Sequence, residues 1–361
     1  MVEWKKLSEI GDVCMCKRIM KHQTFDKGDV PFFKIGTFGG NADAFINRDL
    51  FLDYKLKYSF PQKGEILLSA SGTIGRTVVY NGEDAYFQDS NIVWISNDET
   101  QVTNSFLYYC YQIVDWKIDG GTIKRLYNYN LKNTIIPVPS LSEQNRIVGI
   151  LDTFTASIEN LKEQITQRRK QFEHYRDQLL ELKGKEGVEM KTLGEICTVI
   201  TGGEVPEDTI KGQLSPSTEY PYAVYTNGKE TYGFTKSYQV ESDAVCISSI
   251  GANTGAVFYK EGKFTPAIRL KVLIPIQKLN TRFLYYAASK IDFRGKNTGS
   301  VPNINANYVK SKEIPVPSLF EQQRIVSILD TFEASIANLE AQLSQREKQY
   351  DYYRNKLLTF E

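Results

Sequence analysis

Apolar residues between positions 147 and 182 recur in alternating steps of four and three. They are Ile147, Leu151, Phe154, Ile158, Leu161 and Ile165, then Phe172, Tyr175, Leu179 and Leu182. Arg168 stands at the one step where an apolar residue is missing. This spacing keeps side chains on one stripe of an α-helix, and a stripe held for about five heptads predicts a coiled-coil helix. A second run does the same through Ile325, Leu329, Phe332, Ile336, Leu339, Leu343, Arg346, Tyr350, Tyr353, Leu357 and Phe360. The rest of the chain is patterned differently. EILLSA, RTVVY and NIVWI (from Glu65, Arg76 and Asn91) are short β-branched runs between turn residues, as are AVCISSI, AVFY and LKVLIPI (from Ala244, Ala256 and Leu270). These predict strands. SFLYYCYQIVDWKI from Ser105 and RFLYYAASKI from Arg282 predict short helices.

The two helical runs are copies of each other. Residues 136–182 align without a gap to residues 314–360, offset by 178, and 30 of the 47 positions are identical. Upstream the likeness fades but keeps landmarks: WKKLSEIGDV and MKTLGEICTV, SFLYYCY and RFLYYAA, GTIKRLYNYNLKN and GSVPNINANYVKS, and glycine pairs near Gly72 and Gly251. This period is far longer than that of solenoid repeats, so the chain is one duplication. Each half is a divergent, strand-rich region followed by a near-identical helical segment.

Helix starts and direction follow from local rules. Pro137, Pro139, Pro315 and Pro317 are expected to end whatever precedes them. Ser140 with Glu143, and Ser318 with Glu321, then have the S-x-x-E spacing of a capping box. The helix from Ile147 to Leu182 would be about 54 Å long at ~1.5 Å per residue. The linker LKGKEGVE reaches at most about 28 Å. The second region must therefore begin near the far end of the first helix, and the second helix runs back antiparallel to it. The expected fold class is α+β: two similar mixed α/β domains with two long helices in an antiparallel coiled coil, related by a pseudo-two-fold. Expected boundaries are 1–140 and 185–318 for the domains, 141–184 and 319–361 for the helical segments. Arg168 and Arg346 are expected to act as register-setting or snorkelling seam residues.

Composition narrows the function classes. An apolar content of 41% with 12% aromatics supports real cores. The formal charge is +1, from 44 basic and 43 acidic residues, so any phosphate-facing patch must come from uneven placement of charge. No apolar run reaches the ~18 residues that span a bilayer, and MVEWKKLSEI lacks an apolar signal core. The expectation is a soluble cytoplasmic protein whose five cysteines are reduced thiols. Catalytic chemistry is hard to assemble. The histidines, His22 and His174, sit in unrelated settings, and Glu83, Asp84 and Asp89 are marked only by turn placement. No phosphate loop, dinucleotide turn or nucleophile elbow is present. No residue is assigned as catalytic or metal-binding, and no cofactor is expected on this chain.

The duplicated IPxPSLxEQxRIVxILDTF, followed each time by a long heptad helix, resembles the specificity subunit of type I restriction–modification systems, and the resemblance covers essentially the whole chain. It implies two target-recognition domains, each reading one half of a bipartite, asymmetric site in double-stranded DNA, with the helices as a ruler for the spacer. It also implies two methyltransferase (modification) subunits as partners, and with them the restriction/translocase subunits. S-adenosylmethionine, ATP and Mg would then belong to those partners alone.

Base readout needs donors and acceptors on loops, and phosphate contacts need Lys or Arg near glycine-rich backbone. By that criterion the DNA-binding candidates in the first domain are Lys17, Arg18, Lys21, Ser71, Thr73, Arg76, Lys124, Arg125, Tyr127 and Asn128. In the second they are Tyr225, Asn227, Lys229, Asn253, Thr254, Arg269, Lys296, Asn297, Asn303 and Asn305. Glu143, Gln144 and Arg146, with their repeats Glu321, Gln322 and Arg324, are expected on outer helix faces that dock the methyltransferase subunits. The competing class is a non-catalytic coiled-coil scaffold whose domains bind protein or glycan ligands, and the salt dependence of duplex binding separates the two.

Overall fold

The computed structural model describes residues 2–119, 124–276, 278–294 and 304–360. Two helices dominate it, Leu141–Leu179 and Leu319–Thr359, of 39 and 41 residues. The chain divides into two compact units, Met1–Lys162 with Ala341–Glu361, and Glu163–Glu340. The division cuts both helices. Each unit holds one strand-rich domain, the start of the helix that follows it, and the end of the other helix.

The two domains share one topology, differing by an extra edge strand in the second. In the first unit a four-stranded antiparallel sheet runs in the order Gly11–Cys14, Ile92–Asn97, Ile66–Ser69, Thr77–Val79. In the second it runs Cys197–Thr201, Lys271–Pro275, Ala244–Ile247, Val257–Lys260. The β-branched runs singled out in the sequence supply three of the four strands in each. A smaller sheet lies beside each one. In the first unit Val30–Phe33 is flanked by antiparallel Phe45–Ile46 and parallel Tyr86–Phe87. In the second, Tyr222–Tyr225 is flanked by antiparallel Thr231–Thr235 and parallel Phe264–Pro266, with Ile210–Lys211 at the edge. The Tyr-rich runs form helices Asn104–Tyr111 and Thr281–Ser289, whose buried faces (Phe106 and Cys110; Phe283 and Ala287) join the main sheets' cores. The first helix stops well short of the apolar run QIVDWKI.

An antiparallel two-stranded ribbon closes each domain, pairing Glu3–Lys6 with Ile135–Val138 and Glu189–Thr192 with Glu313–Val316. Pro137 and Pro315 lie inside these strands, opposite Trp4 and Met190, and terminate nothing. A two-stranded ribbon has free edges, where a missing N–H costs no ladder bond. The prolines that precede the helices are Pro139 and Pro317.

Within each unit the two helical segments run antiparallel. In the first, Phe154 stacks on Tyr353 with ring centroids 5.4 Å apart, the Arg346 guanidinium lies 5.5 Å from the Phe154 ring, and Lys162 pairs with Glu347 at 3.2 Å. In the second, Tyr175 stacks on Phe332 at 5.3 Å, Arg168 lies 5.8 Å from the Phe332 ring, and Arg169 pairs with Glu340 at 2.5 Å. The stacks and the arginines are images of each other under the 178-residue offset. Arg168 and Arg346 are therefore seam residues, each laid over the aromatic ring that faces it.

The helix ends complete the cores. Leu358, fully buried, joins Tyr350, Leu357 and Phe360 in the core of the first domain. The first helix ends at Leu179 rather than at Leu182; Leu180 and Leu182 turn into the second domain's core with Phe172 and Leu179. Gly184 and Gly187, at φ +80° and +73°, make the turn that follows.

The helix starts are fastened by polar groups. Ser140 Oγ accepts from Glu143 N and Ser318 Oγ from Glu321 N, both at 3.3 Å. The glutamates do not reach back, so only half of the expected capping box forms. They pair instead with Arg146 and Arg324 one turn on. Gln144 and Gln322, expected on an outward docking face, are fully buried, and this corrects the sequence reading. Gln144 Oε1 accepts from Thr103 N at 2.9 Å, and its Nε2 donates to Gln101 O and Pro139 O. Gln322 repeats the clamp with Asn280 N at 2.8 Å, Lys278 O and Pro317 O. Two helical turns further, Tyr109 Oη donates to Asp152 at 2.5 Å and Tyr286 Oη to Asp330 at 2.6 Å. Burial, and then the carboxylate it bonds, push the Tyr109 phenol above its usual range.

Two outcomes follow. Leu358→Ala should destabilise the first unit by about 2–5 kcal/mol, the cost of a buried leucine-sized cavity. Hydrogen exchange would then quicken in Ile66–Ser69 and Ile92–Asn97 while Ala244–Ile247 keeps its protection. Gln322→Leu leaves the Asn280 amide and two carbonyls without their partner. Each buried group left unpaired costs about 1–3 kcal/mol, so denaturant midpoints should fall more than for the exposed Arg324→Leu.

Candidate nucleic-acid interface

In each unit the short parallel strand of the small sheet leads, through a tight loop, into a central strand of the large sheet. Tyr86–Phe87 leads through 88–91 to Ile92–Asn97, and Phe264–Pro266 leads through 267–270 to Lys271–Pro275. At the same place in both loops the backbone is left-handed at residues other than glycine: Ser90 at φ +53°, Ile268 at +51° and Arg269 at +59°. Such conformations are uncommon, and for a β-branched residue like Ile268 they are true outliers. They persist only where surrounding bonds over-determine them, which happens mostly at functional sites.

In the first unit this loop floors a cleft of about 590 Å³ that also takes in Arg18, Lys21, Lys34, Asp43 and Arg125. The Arg18 guanidinium pairs with Asp89 at 2.9 Å, and Lys34 with Asp43 at 2.9 Å. Arg125 donates to Ser90 O at 2.7 Å and to Asn91 Oδ1, which also accepts from Ser71 Oγ at 2.8 Å. Arg18, Lys21 and Arg125 are thereby brought to one cleft, and Ser71 stands behind it, bonded to Asn91. Arg76 faces elsewhere: it donates to Phe38 O at 2.8 Å and braces the glycine loop. Thr73 O takes the Ser69 hydroxyl at 2.5 Å. The Lys17 ammonium lies 5.0 Å from the Tyr58 ring. Lys124, Tyr127 and Asn128 are exposed on the segment around Arg125.

The second unit gathers its candidates around Asn227. Asn227 Nδ2 donates to Ile268 O, and its Oδ1 accepts from Ser249 N at 2.7 Å. Asn253 Nδ2 donates to Asn227 O at 3.1 Å. Beneath them the Lys260 ammonium, 4.0 Å from the Tyr225 ring, donates to Lys229 O. Burial pulls Lys260 and Lys271 below the usual lysine range, and both donate to loop carbonyls. Arg269 and Lys229 are both exposed at the rim of this cluster. Thr254 is buried, donates to Gly251 O at 2.6 Å and has its carbonyl taken by Arg294, so it offers nothing to a ligand and the expectation for it is corrected. Asn305 caps helix Ala306–Lys310 by accepting from Tyr308 N at 2.8 Å. Lys296, Asn297 and Asn303 lie outside the described residues.

The candidates thus fall into two kinds. Arg76, Arg125, Asn227 and Asn253 hold the loops in shape. Lys21, Lys124, Tyr127, Lys229 and Arg269 are presented at the surface. Ser90 and Ile268 were not singled out from the sequence, because a left-handed residue that is not glycine carries no compositional mark, and neither were Asn91 or the buried Lys260 and Lys271, whose roles rest on tertiary contacts. Burial pushes the Cys16, Cys197 and Cys246 thiols up to about 12, which makes them inert. Among the described residues no group of three or more His, Cys, Asp or Glu could hold a metal ion, and no helix is long and apolar enough to cross a membrane.

Comparison with known proteins agrees with this architecture. The family model of the type I restriction modification DNA specificity domain matches twice, over residues 1–168 and 185–347. A putative type I restriction enzyme specificity subunit of Haemophilus influenzae is 59% identical over 180 residues, which is 48% of this chain and 47% of that protein. A type I restriction enzyme specificity subunit of Escherichia coli is 34% identical over 297 residues, 73% of each chain. The crystal structure of a type I restriction–modification S subunit from M. genitalium superposes with a TM-score of 0.67 at 20% identity, covering 99% of this chain and 96% of that one, which extends the likeness to the fold. A family model that covers both halves, on two domains of one topology joined to two copies of one helix, assigns this chain to the type I restriction–modification DNA specificity family.

Proposed function

We propose that this chain is the DNA-reading, non-catalytic subunit of a type I restriction–modification enzyme, acting in the cytoplasm. Each domain reads one half of a bipartite, asymmetric double-stranded site. The observation that carries the reading is the pair of loops at one topological position with different chemistry: Asp89, Ser90 and Asn91 in the first unit, Ile268 and Arg269 in the second. One scaffold with two unlike reading surfaces suits two unlike half-sites. Lys17, Lys21, Lys124 and Lys229, beside those loops, supply the phosphate contacts that position the chain without specifying sequence.

Docking of two methyltransferase subunits uses surfaces that occur twice. The ion pairs Glu143–Arg146 and Glu321–Arg324, at 2.6 and 2.7 Å on the first turns of the two helices, are such surfaces. S-adenosylmethionine, ATP and Mg²⁺ then act on the partner subunits, and restriction subunits join through them. The scaffold reading, with protein or glycan ligands, has no comparable support.

Domain exchange tests the reading. Replacing residues 185–318 with those of a relative should change one half of the methylated motif and leave the other intact, as read by long-read methylation mapping of the host genome. A change in both halves, or in neither, refutes the assignment of one half-site per domain. A second expectation concerns salt. Lys17, Lys21 and Lys124 changed together to Gln should flatten the dependence of log K on log[salt] by about 0.9 for each phosphate no longer neutralised, without altering the motif.

A further inference from the structure

The loop of the second unit is held entirely through its backbone. Ala267 N donates to Tyr225 O at 2.8 Å, Ile268 N to Gly203 O at 2.7 Å and Arg269 N to Gly202 O at 3.0 Å. Ile268 O accepts from Asn227 Nδ2, and Arg269 O accepts from Ser249 Oγ at 2.6 Å and from Lys271 Nζ at 3.1 Å. Gly202 allows the close approach, since a Cβ there would meet the Pro266 and Ala267 backbone at under 3 Å. Two consecutive left-handed residues are thus pinned through their own and a neighbouring amide and carbonyl groups, and none of these bonds uses their side chains.

The Arg269 side chain is exposed, and among the described residues it makes no hydrogen bond, ion pair or ring contact. Every other described arginine is bonded to an oxygen or laid over a ring, including Arg18 on Asp89, Arg76 on Phe38 O, Arg125 on Ser90 O and Arg294 on Thr254 O. A guanidinium without an intramolecular partner has no bond to give up when it binds, the backbone that carries it is already ordered, and its planar fork of donors matches a planar pair of acceptors.

We propose that Arg269 is the specificity-determining residue of the second half-site, its guanidinium forked onto O6 and N7 of one guanine in the major groove. The inference rests on the DNA-reading function proposed above and gives the second unit's loop a definite base. At the matching place the first unit presents Ser90 beside the Arg18–Asp89 pair, so the two half-sites are read by different chemistry.

The test uses the chain assembled with its modification subunits. Methylation mapping first defines the motif. Competition binding then uses duplexes in which each base pair of both half-sites is varied in turn. Arg269→Ala should lower discrimination at one G·C pair of the second half-site by roughly 5- to 150-fold and leave the first half-site's preferences unchanged. Arg269→Lys keeps the charge and the salt slope but should lose most of that discrimination. Ile268→Gly accepts the left-handed backbone and should keep the same guanine. Equal melting temperatures of the two Arg269 variants and the parent establish that folding is intact. If either Arg269 variant weakens binding evenly across all base changes, or alters preferences in the first half-site, the residue is a backbone contact or a structural one and the proposal falls. A parent complex with no bipartite motif would instead overturn the DNA-reading function itself.

Discussion

The structure depends on cores that neither repeat completes with its own sequence. The first domain's sheet and its helix Asn104–Tyr111 leave an apolar face that is filled by Leu358, Leu357, Tyr350 and Phe360 from the far end of the chain. The second domain's face is filled by Leu180, Leu182, Phe172 and Leu179, which precede it in sequence. Burying side chains of this size stabilises by about 1.5–3 kcal/mol each, a large share of the net stability of an ordinary domain. Folding of either unit therefore requires segments from both halves of the sequence. The antiparallel direction of the helical segments is enforced by core packing as much as by the seam itself.

That constraint accounts for which parts of the duplication stayed alike. The helix start packs on its own domain through the buried glutamine and the Tyr–Asp bond; the glutamine and aspartate recur 178 positions on and the tyrosine 177. The aromatic stacks and the arginines over them also recur. The domains diverge where this packing ends. Arg282, which meets Asp330 at 2.6 Å and Glu333 at 2.7 Å, has Ser105 as its counterpart, so the second helix start carries an ionic fastening that the first lacks.

The helices were legible because a 3.5-residue period is a strong signal and the duplication printed it twice. The main sheet was legible in its β-branched strands. The small sheets were not, because strands of two to five residues such as Tyr86–Phe87 and Ile210–Lys211 are too short to show a period. Gln144 and Gln322 were misread for a different reason. Their neighbours Glu143, Arg146, Glu321 and Arg324 are surface residues, and only long-range contacts to Thr103 and Asn280 reveal that the glutamines face inward. The interface was half legible. Polar residues around glycine turns located the right loops, but sequence could not separate Arg125, whose side chain braces the turn at Ser90, from Arg269, whose side chain meets no partner among the described residues. The left-handed backbone of Ser90, Ile268 and Arg269 is imposed by tertiary hydrogen bonds, and local propensity argues against it.

This division of labour bears on how such a chain changes its target. Where a reading side chain also supports its loop, replacing it alters the loop's shape along with its chemistry, and the old preference disappears without a new one forming. Arg125 supports its loop in this way, because Ser90 O loses its side-chain donor when it goes and Asn91 Oδ1 keeps only Ser71. Position 269 is the opposite case. Its amide and carbonyl are satisfied by Gly202, Ser249 and Lys271, so the side chain can vary while the turn persists. Specificity can then drift one side chain at a time on a backbone whose stability comes from elsewhere in the fold. The duplicated frame can stay nearly constant while the two reading surfaces part company.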